Sequence, residues 1–170
     1  MILLTGAAGF IGSVLWARFA ADGLAADTVV VDDFSPAAKK RNHQGKVAAL
    51  IVGRDVLADW LGRHGAAVHF VVHIGARTDT MEPDTRVFDE LNVRPTRMLW
   101  AFAARRGIPF VFASSAAVYG GGERGFSDSL VDGLRPLNAY GRSKLDVDRW
   151  VLAQREAPPH WAGLRFFNVY

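Results

Sequence analysis

The stretch TGAAGFIG, residues 5–12, constrains the fold of this chain more than any other feature. Its glycines, Gly6, Gly9 and Gly12, separate the apolar run ILL from a segment with helical periodicity. Glycine lets a backbone approach a diphosphate closely, and the N-terminus of the following helix attracts the negative charge. Asp32 stands 20 residues beyond Gly12, after the apolar run TVVV, where it can accept hydrogen bonds from ribose hydroxyls. This order predicts a dinucleotide site; the alternative is a glycine-rich turn beside a surface aspartate.

Short apolar segments alternate with longer segments that have the period of a helix. This alternation predicts repeated βα units, and therefore a mainly parallel sheet with helices on both faces. The predicted strands are residues 1–5, 28–32, 48–52, 69–75, 109–115 and 163–167, and the predicted helices are residues 10–22, 56–65, 83–106 and 138–155. Residues 36–44 are undecided, and 119–128, with four glycines in ten positions, predict a loop. A chain of 170 residues, half of them hydrophobic, fits one domain.

The composition argues against several classes of partner. Basic residues exceed acidic ones by only three (20 against 17) and are scattered, which is typical of a solvated surface and not of a nucleic-acid site. There is no cysteine, and the five histidines lack metal-ligand spacing. The opening MILLTG does not resemble a signal peptide, and no apolar run approaches about 20 residues. We therefore expect a cytoplasmic protein with no metal, nucleic-acid or membrane partner.

The stretch PLNAYGRSK, residues 136–144, places Tyr140 and Lys144 four positions apart on a predicted helix, and therefore on one face. A free tyrosine titrates near about 10, and a nearby ammonium group favours the phenolate, so we expect a lowered pKa for Tyr140. Ser114 and Ser115 end the fifth predicted strand, at the edge where such sheets bind ligands. We expect Ser115 to bind the substrate hydroxyl whose proton Tyr140 removes. The alternative is a packed tyrosine beside an exposed lysine.

Two other polar residues have simpler interpretations. Ser114 is expected only to satisfy backbone groups, as strand-end serines often do. His73 ends the fourth predicted strand, and taken alone it is expected to be a hydrogen-bonded core histidine and not a catalyst.

The glycine spacing is G-x-x-G-x-x-G, and with the Tyr140 and Lys144 pair it resembles the short-chain dehydrogenase/reductase superfamily. The resemblance is strongest to the extended branch of nucleotide-sugar epimerases and dehydratases. It implies a Rossmann-like doubly wound sheet that binds NAD or NADP. By the same resemblance, Ser115, Tyr140 and Lys144 are catalytic, and Ser115 and Asn168 contact the substrate. The implied cofactor-binding residues are Gly6, Gly9, Phe10, Ile11, Gly12, Asp32, Asp33, Lys39, Gly75, Ala76, Asn92 and Lys144.

The choice between NAD and NADP is open on the residues themselves. Asp32 and Asp33 favour a free 2′-hydroxyl, whereas the run KKR at 39–41 can hold a 2′-phosphate or can be an exposed loop. SSAAVYGG, PLNAYGRSK and FFNVY together resemble the epimerases that act on an ADP-linked heptose, which use NADP; this favours Lys39 as a phosphate ligand. Ala116 and Ala117 follow Ser115, where the related dehydratases carry an Asp-Glu pair, so elimination is disfavoured.

The resemblance departs from the family at the end of the chain. In that group FFNVY continues into a loop with a second acid/base lysine, and then into a sugar-binding domain. We therefore expect residues 1–170 to be an NAD(P)-binding Rossmann domain, C-terminally truncated, that binds cofactor weakly and does not epimerise alone. The full-length enzyme is expected to be a homo-oligomer. Two alternatives are open: a 4-epimerase or reductase on another nucleotide sugar, and a non-catalytic dinucleotide-binding module.

Overall fold

The computed structural model describes residues 1–129 and 131–170 and contains a parallel sheet of six strands. The strands are Ile2–Thr5 (β1), Thr28–Asp32 (β2), Leu50–Gly53 (β3), Phe70–His73 (β4), Phe110–Ser115 (β5) and Trp161–Phe166 (β6). Their order in the sheet is β3-β2-β1-β4-β5-β6, so the chain reverses its direction of travel between β1 and β4. This order confirms the predicted Rossmann-like doubly wound sheet. Ligands in such sheets bind at this reversal, beyond the carboxyl ends of the strands.

The helices agree with the predicted segments except in their ends and in one interruption. They are Phe10–Ala21 (α1), Lys40–His43 (α2), Leu57–His64 (α3), Thr85–Phe88 (α4), Arg94–Arg106 (α5) and Ala139–Leu152 (α6). A π-helical turn, Asp89–Val93, joins α4 to α5, so the single helix predicted over 83–106 has three parts. The undecided residues 36–44 form a 3₁₀ turn and the short helix α2. Other 3₁₀ turns cover 25–27, 54–56, 65–67 and 116–119.

The central strands are buried on both faces, which explains why they read as continuous apolar runs and not as alternating ones. On one face Leu3 and Phe110 pack with α3, α5 and α6, where Trp100 is 1% exposed. On the other face Ile2 and Leu4 pack against α1, where Trp16 is also 1% exposed. Helices on both faces therefore fix the sheet, and the carboxyl ends of β1, β4 and β5 lie side by side beneath one cleft.

Candidate functional site

A cleft of about 920 Å³ lies above the carboxyl ends of the strands. Its walls come from the loop after β1, the first turn of α1, the ends of β2, β4 and β5, the helix α5 and the start of α6. Most of the predicted site residues line it: Gly6, Gly9, Phe10, Ile11, Gly12, Asp32, Lys39, Gly75, Ala76, Ser115, Tyr140, Lys144 and Asn168. Asp33 and Asn92 do not.

The loop between β1 and α1 requires its glycines. Gly6 has a φ of +73°, which favours glycine, and a Cβ at this position would lie 2.5 Å from the backbone nitrogen of Gly75. A Cβ on Gly12 would collide with the carbonyl group of Gly6. The loop is fixed to the sheet because Gly6 N–H donates to the carbonyl of Val31 at 2.8 Å. The first N–H groups of α1, at Phe10 and Ile11, have no acceptor within the helix, and both residues line the cleft, so this helix N-terminus can bind an anion there.

Asp32 holds this loop in place and is paired with a lysine. One carboxylate oxygen accepts from Ala8 N–H at 2.8 Å, and the other accepts from Asp33 N–H at 2.7 Å and from Lys39 Nζ at 2.6 Å. The side chain is only 7% exposed. Ribose hydroxyls that bind Asp32, as the sequence predicts, would therefore compete with three protein hydrogen bonds to this carboxylate. The negative charge of Asp32 is balanced by Lys39.

The basic run at 39–41 has two environments. Lys39 is partly buried and lines the cleft, whereas Lys40 and Arg41 are exposed, so only one member of the run faces the site. Lys39 also lines an adjoining pocket of about 400 Å³ with Asp33 and Arg54. Asp33 accepts from Ser35 Oγ at 2.6 Å and lies 3.5 Å from Arg54. Sequence reasoning missed Arg54; the signal was a basic residue directly after the third strand.

The cleft also has an apolar slot that the sequence analysis did not identify. Leu57 and Ala58, at the start of α3, line one part of the wall, while Leu91, Pro95 and Met98 line another. Apolar lining of this kind suits a ring such as adenine. The signal for the second set was present, since Leu91 and Met98 belong to the apolar face of the predicted helix over 83–106.

His73 is a neutral histidine whose hydrogen bonds fix its tautomer. Thr96 Oγ donates to the carbonyl of Asn92 at 2.6 Å, so it must accept from His73 Nε2 at 2.9 Å. His73 Nδ1 is then the acceptor for the hydroxyl of Thr5 at 2.6 Å, and Thr5 Oγ accepts from Gly75 N–H at 3.3 Å. Burial lowers the pKa of His73 to about 3, and the charge of Lys144 adds to this effect. His73 is therefore the hydrogen-bonded core histidine that the sequence predicts, and it holds the hydroxyl of Thr5 in place at the floor of the cleft.

Asn92 lies behind the cleft wall and is completely buried. Its side-chain oxygen accepts from Arg77 N–H at 2.7 Å, and its side-chain nitrogen donates to the carbonyl of Arg77 and to Ser143 Oγ, both at 3.0 Å. It therefore ties the segment after β4 to α6, the helix that carries Tyr140. This geometry gives it a positioning role, and its contact with the cofactor stays a prediction.

Ser115 and Tyr140 meet at the end of β5. Ser115 Oγ accepts from Ala117 N–H at 3.1 Å, which leaves its own proton available for an oxygen in the cleft. Burial raises the pKa of Tyr140 above its usual value of 10.0, and the hydrogen bond with Ser115 opposes this shift. The prediction of a lowered tyrosine pKa is therefore wrong for this structure. Its spacing argument did not include the cost of ionising a partly buried phenol.

Lys144 lies beside Tyr140 but is bonded elsewhere. Its Nζ lies 6.0 Å from the centre of the Tyr140 ring and donates to the carbonyl of Ala113 at 2.8 Å. Burial lowers the pKa of Lys144 to about 8, and the charge of Asp148 opposes the decrease. The lysine is thus 4% exposed and not the exposed residue of the alternative interpretation. Asn168 lies just beyond β6 and lines the cleft from an exposed position.

Two negative findings concern the part of the chain that the structure describes. None of the helices there is long and apolar enough to span a membrane. Residues 1–129 and 131–170 also contain no cluster of three or more His, Cys, Asp or Glu side chains that could hold a metal ion.

Comparison with known proteins identifies related sequences. The sequence profile of the NAD dependent epimerase/dehydratase family matches residues 2–170. The chain is 36% identical to the ADP-L-glycero-D-manno-heptose-6-epimerase of Fusobacterium nucleatum subsp. nucleatum and 42% identical to that of Nitratidesulfovibrio vulgaris. Each match covers the whole chain but 53% of the relative, so the chain spans about half the length of these relatives.

A solved structure also resembles this chain. MoeE5 in complex with UDP-glucose and NAD is similar, with a TM-score of 0.76 and 31% identity. That match covers 99% of this chain and 55% of MoeE5. A family profile that covers nearly every residue, on a fold with the matching glycine loop, decides the assignment. The chain therefore belongs to the NAD dependent epimerase/dehydratase family.

Proposed function

We propose that this chain is the cofactor-binding part of a nucleotide-sugar epimerase, and that the epimerase acts as the ADP-L-glycero-D-manno-heptose-6-epimerases to which the chain is similar. The observation that carries the proposal is that Ser115, Tyr140 and Lys144 line one cleft with a glycine loop shaped for a diphosphate. A Cβ at Gly6 or Gly12 would collide with neighbouring backbone, so this tight loop needs glycine at both positions. A loop of this kind, followed by a helix N-terminus, fits the diphosphate of a dinucleotide. The nicotinamide of the cofactor supplies the hydride acceptor and later the hydride donor.

The side chains have separate roles in this proposal. Tyr140 accepts the proton of the sugar hydroxyl at carbon 6 when that carbon is oxidised, and it returns a proton when the ketone is reduced. Ser115 donates a hydrogen bond to the reacting oxygen, since the contact with Ala117 N–H uses a lone pair of its Oγ and not its proton. Lys144 holds a positive charge beside the tyrosine and binds the nicotinamide ribose. Return of the hydride to the same carbon would make the net redox change zero, and its return to the opposite face would invert the configuration of that carbon.

The proposed cofactor is NADP. Lys39 and Arg54 are two cations beside the end of β2, where a 2′-phosphate would lie, and Asp32 is already neutralised by Lys39. A phosphate with a charge near −2 can bind both cations, whereas the free hydroxyl of NAD gains little from them. NAD remains usable, because the diphosphate cradle is common to both cofactors.

Thermal melting tests the cofactor site in the 170-residue chain. A ligand that binds only the native state stabilises it by about 2.7 kcal/mol at 100 times its dissociation constant. We expect a larger rise in Tm with NADP than with NAD. Lys39→Ala should remove the difference, and Lys40→Ala, an exposed neighbour in the same run, should keep it. A chain that melts cooperatively but shifts with neither cofactor would overturn the proposed site.

The remaining parts of the proposal concern a longer protein. They are supported by the similarity of this chain to the ADP-L-glycero-D-manno-heptose-6-epimerases. The relatives are about twice as long, and we infer that the sugar-binding domain and the second acid/base lysine lie outside residues 1–170. The substrate is then an ADP-linked heptose used for lipopolysaccharide, and the enzyme is a cytoplasmic homo-oligomer. The isolated chain should bind cofactor without epimerising; full turnover of an ADP-heptose by these 170 residues would contradict this.

A second candidate is an epimerase or reductase for another nucleotide sugar. It is favoured by the likeness to a structure that binds UDP-glucose and NAD. Turnover of ADP-sugars and UDP-sugars by the longer protein distinguishes the two. A non-catalytic binding module is the third candidate, and a Tyr140→Phe variant that behaves like wild type in cells would support it.

A further inference from the structure

A buried ion pair lies one helical turn below Lys144, and the proposed function does not use it. Asp148 follows Lys144 by four residues on α6, so the two side chains are on the same face. Arg165 of β6 donates from Nε to a carboxylate oxygen of Asp148 at 3.0 Å. The side chain of Arg165 is 10% exposed and that of Asp148 is 8% exposed. Charges removed from water to this extent act strongly on their neighbours.

The ion pair also fastens the loop that follows β5. Arg165 donates from a terminal guanidinium nitrogen to Tyr119 Oη at 3.1 Å and to the carbonyl of Ser127 at 3.2 Å. The guanidinium carbon lies 5.0 Å from the centre of the Tyr119 ring. Arg165 is therefore held by groups outside α6, so it fixes the position of the Asp148 carboxylate relative to the sheet.

The groups that face Lys144 come from three elements. On α6 they are Tyr140 and Asp148, on β4 the neutral His73, and on β6 Arg165, which reaches the site through Asp148. Among these described groups, Asp148 is the one carboxylate. Burial favours the neutral amine of Lys144. The negative charge of Asp148 and the hydrogen bond from the ammonium to the carbonyl of Ala113 both oppose this effect.

We propose that Asp148, held by Arg165, is a positioning residue that keeps Lys144 in its ammonium form. The role in catalysis rests on the proposed function, because that function makes Lys144 the cation beside Tyr140. The effect on Lys144 itself does not depend on it. The lowered pKa of Lys144, about 8, is consistent with this balance, since burial lowers it and Asp148 raises it.

Lysine side-chain NMR can test this in the 170-residue chain, which has only four lysines. With isotope-labelled lysine, each side-chain resonance is followed between about pH 6 and 11, a range that covers ordinary lysine titration. Lys144→Arg identifies the signal of Lys144 by its loss. We expect the pKa of Lys144 to fall by at least about one pH unit in Asp148→Asn, because a buried amine then loses its only nearby carboxylate.

Asp146→Asn is the matched control. It removes the same charge from the same helix, but Asp146 is exposed. We expect the titration of Lys144 to be unchanged in this variant. An equal fall in both variants would overturn the proposal, because it would show a general charge effect without a role for the ion pair.

Asp148→Asn leaves a buried arginine without its carboxylate, and this can prevent folding. Asp148→Asn/Arg165→Met removes both charges and avoids that penalty. The pKa of Lys144 is measured in whichever of the two variants gives a native-like amide spectrum. A pKa lower than in wild type supports the proposal, and a pKa equal to that of wild type overturns it. Cofactor melting of the same samples is read separately. A lower lysine pKa in a chain that binds no cofactor would therefore keep this inference while rejecting the proposed function.

Discussion

Protonation of His73 should make the stability of this chain fall as the pH is lowered below about 6.5. The folded state holds the imidazole neutral, with a pKa of about 3, because it is buried. The unfolded chain binds a proton near the ordinary value of 6.5, so at pH 5 it binds more protons than the folded chain. Each pH unit below 6.5 then costs about 1.4 kcal/mol of unfolding free energy, or about 2 kcal/mol at pH 5. The loss continues until the pH reaches the folded pKa.

The assay is urea unfolding followed by tryptophan fluorescence at pH 7.5 and pH 5.0. His73→Gln is neutral at both values, so it removes this contribution while the other titrating groups keep theirs. We expect the decrease in unfolding free energy between the two pH values to be about 2 kcal/mol smaller in His73→Gln than in wild type. Comparing each variant with itself cancels the packing and hydrogen bonds lost at pH 7.5.

His160→Gln is the control for the acid-stability experiment. His160 is exposed, so this variant replaces an imidazole that the fold does not bury. Its pH dependence should match that of wild type. If His73→Gln loses as much stability between pH 7.5 and 5.0 as wild type does, then His73 is not held neutral, and the hydrogen-bond direction from Thr5 to His73 is wrong.

Two further predictions concern the cleft. Gly12→Ala places a methyl group against the carbonyl of Gly6, so it should lower the Tm and abolish the NADP-induced rise in Tm. Gly62→Ala is the control: Gly62 has open space around it on α3, so this variant should show neither effect. Asn92→Ala leaves the backbone of Arg77 without its partners, so urea unfolding should show a loss of about 2 kcal/mol or more, and a loss within error of zero would exclude a structural tie.

The features that could be predicted from sequence are those that depend on near neighbours in the chain. The strands and the glycine loop follow from apolar runs and turn residues, and the shared face of Tyr140 and Lys144 follows from helical spacing. The pairing of Asp148 with Arg165 was not predictable in this way. It depends on β6 lying beside β5 and beneath α6, an arrangement that neither sequence segment contains on its own.

The sign of the tyrosine pKa shift was mispredicted for a related reason. Helical spacing says that Tyr140 and Lys144 share a face, but it does not say how far either is buried or where the ammonium donates. In the structure the ammonium donates to the carbonyl of Ala113, and burial dominates for both residues. The same limit applies to Asp32, whose place at a strand end was predicted but whose pairing with Lys39 was not.

Burial raises the pKa of Tyr140 and lowers that of Lys144, because it favours the neutral form of each. The pKa of Lys144 is about 8 while that of Tyr140 is above its usual value, so on raising the pH the lysine loses its proton before the tyrosine does. A lysine that has become neutral can no longer favour the phenolate. Activation of Tyr140 therefore requires the ammonium to survive in a buried site and to turn toward the phenol oxygen. Within the described chain, the carboxylate of Asp148 favours the ammonium form of Lys144. The hydrogen bond with Ser115 opposes the raised pKa of Tyr140 as long as no substrate oxygen accepts the serine proton.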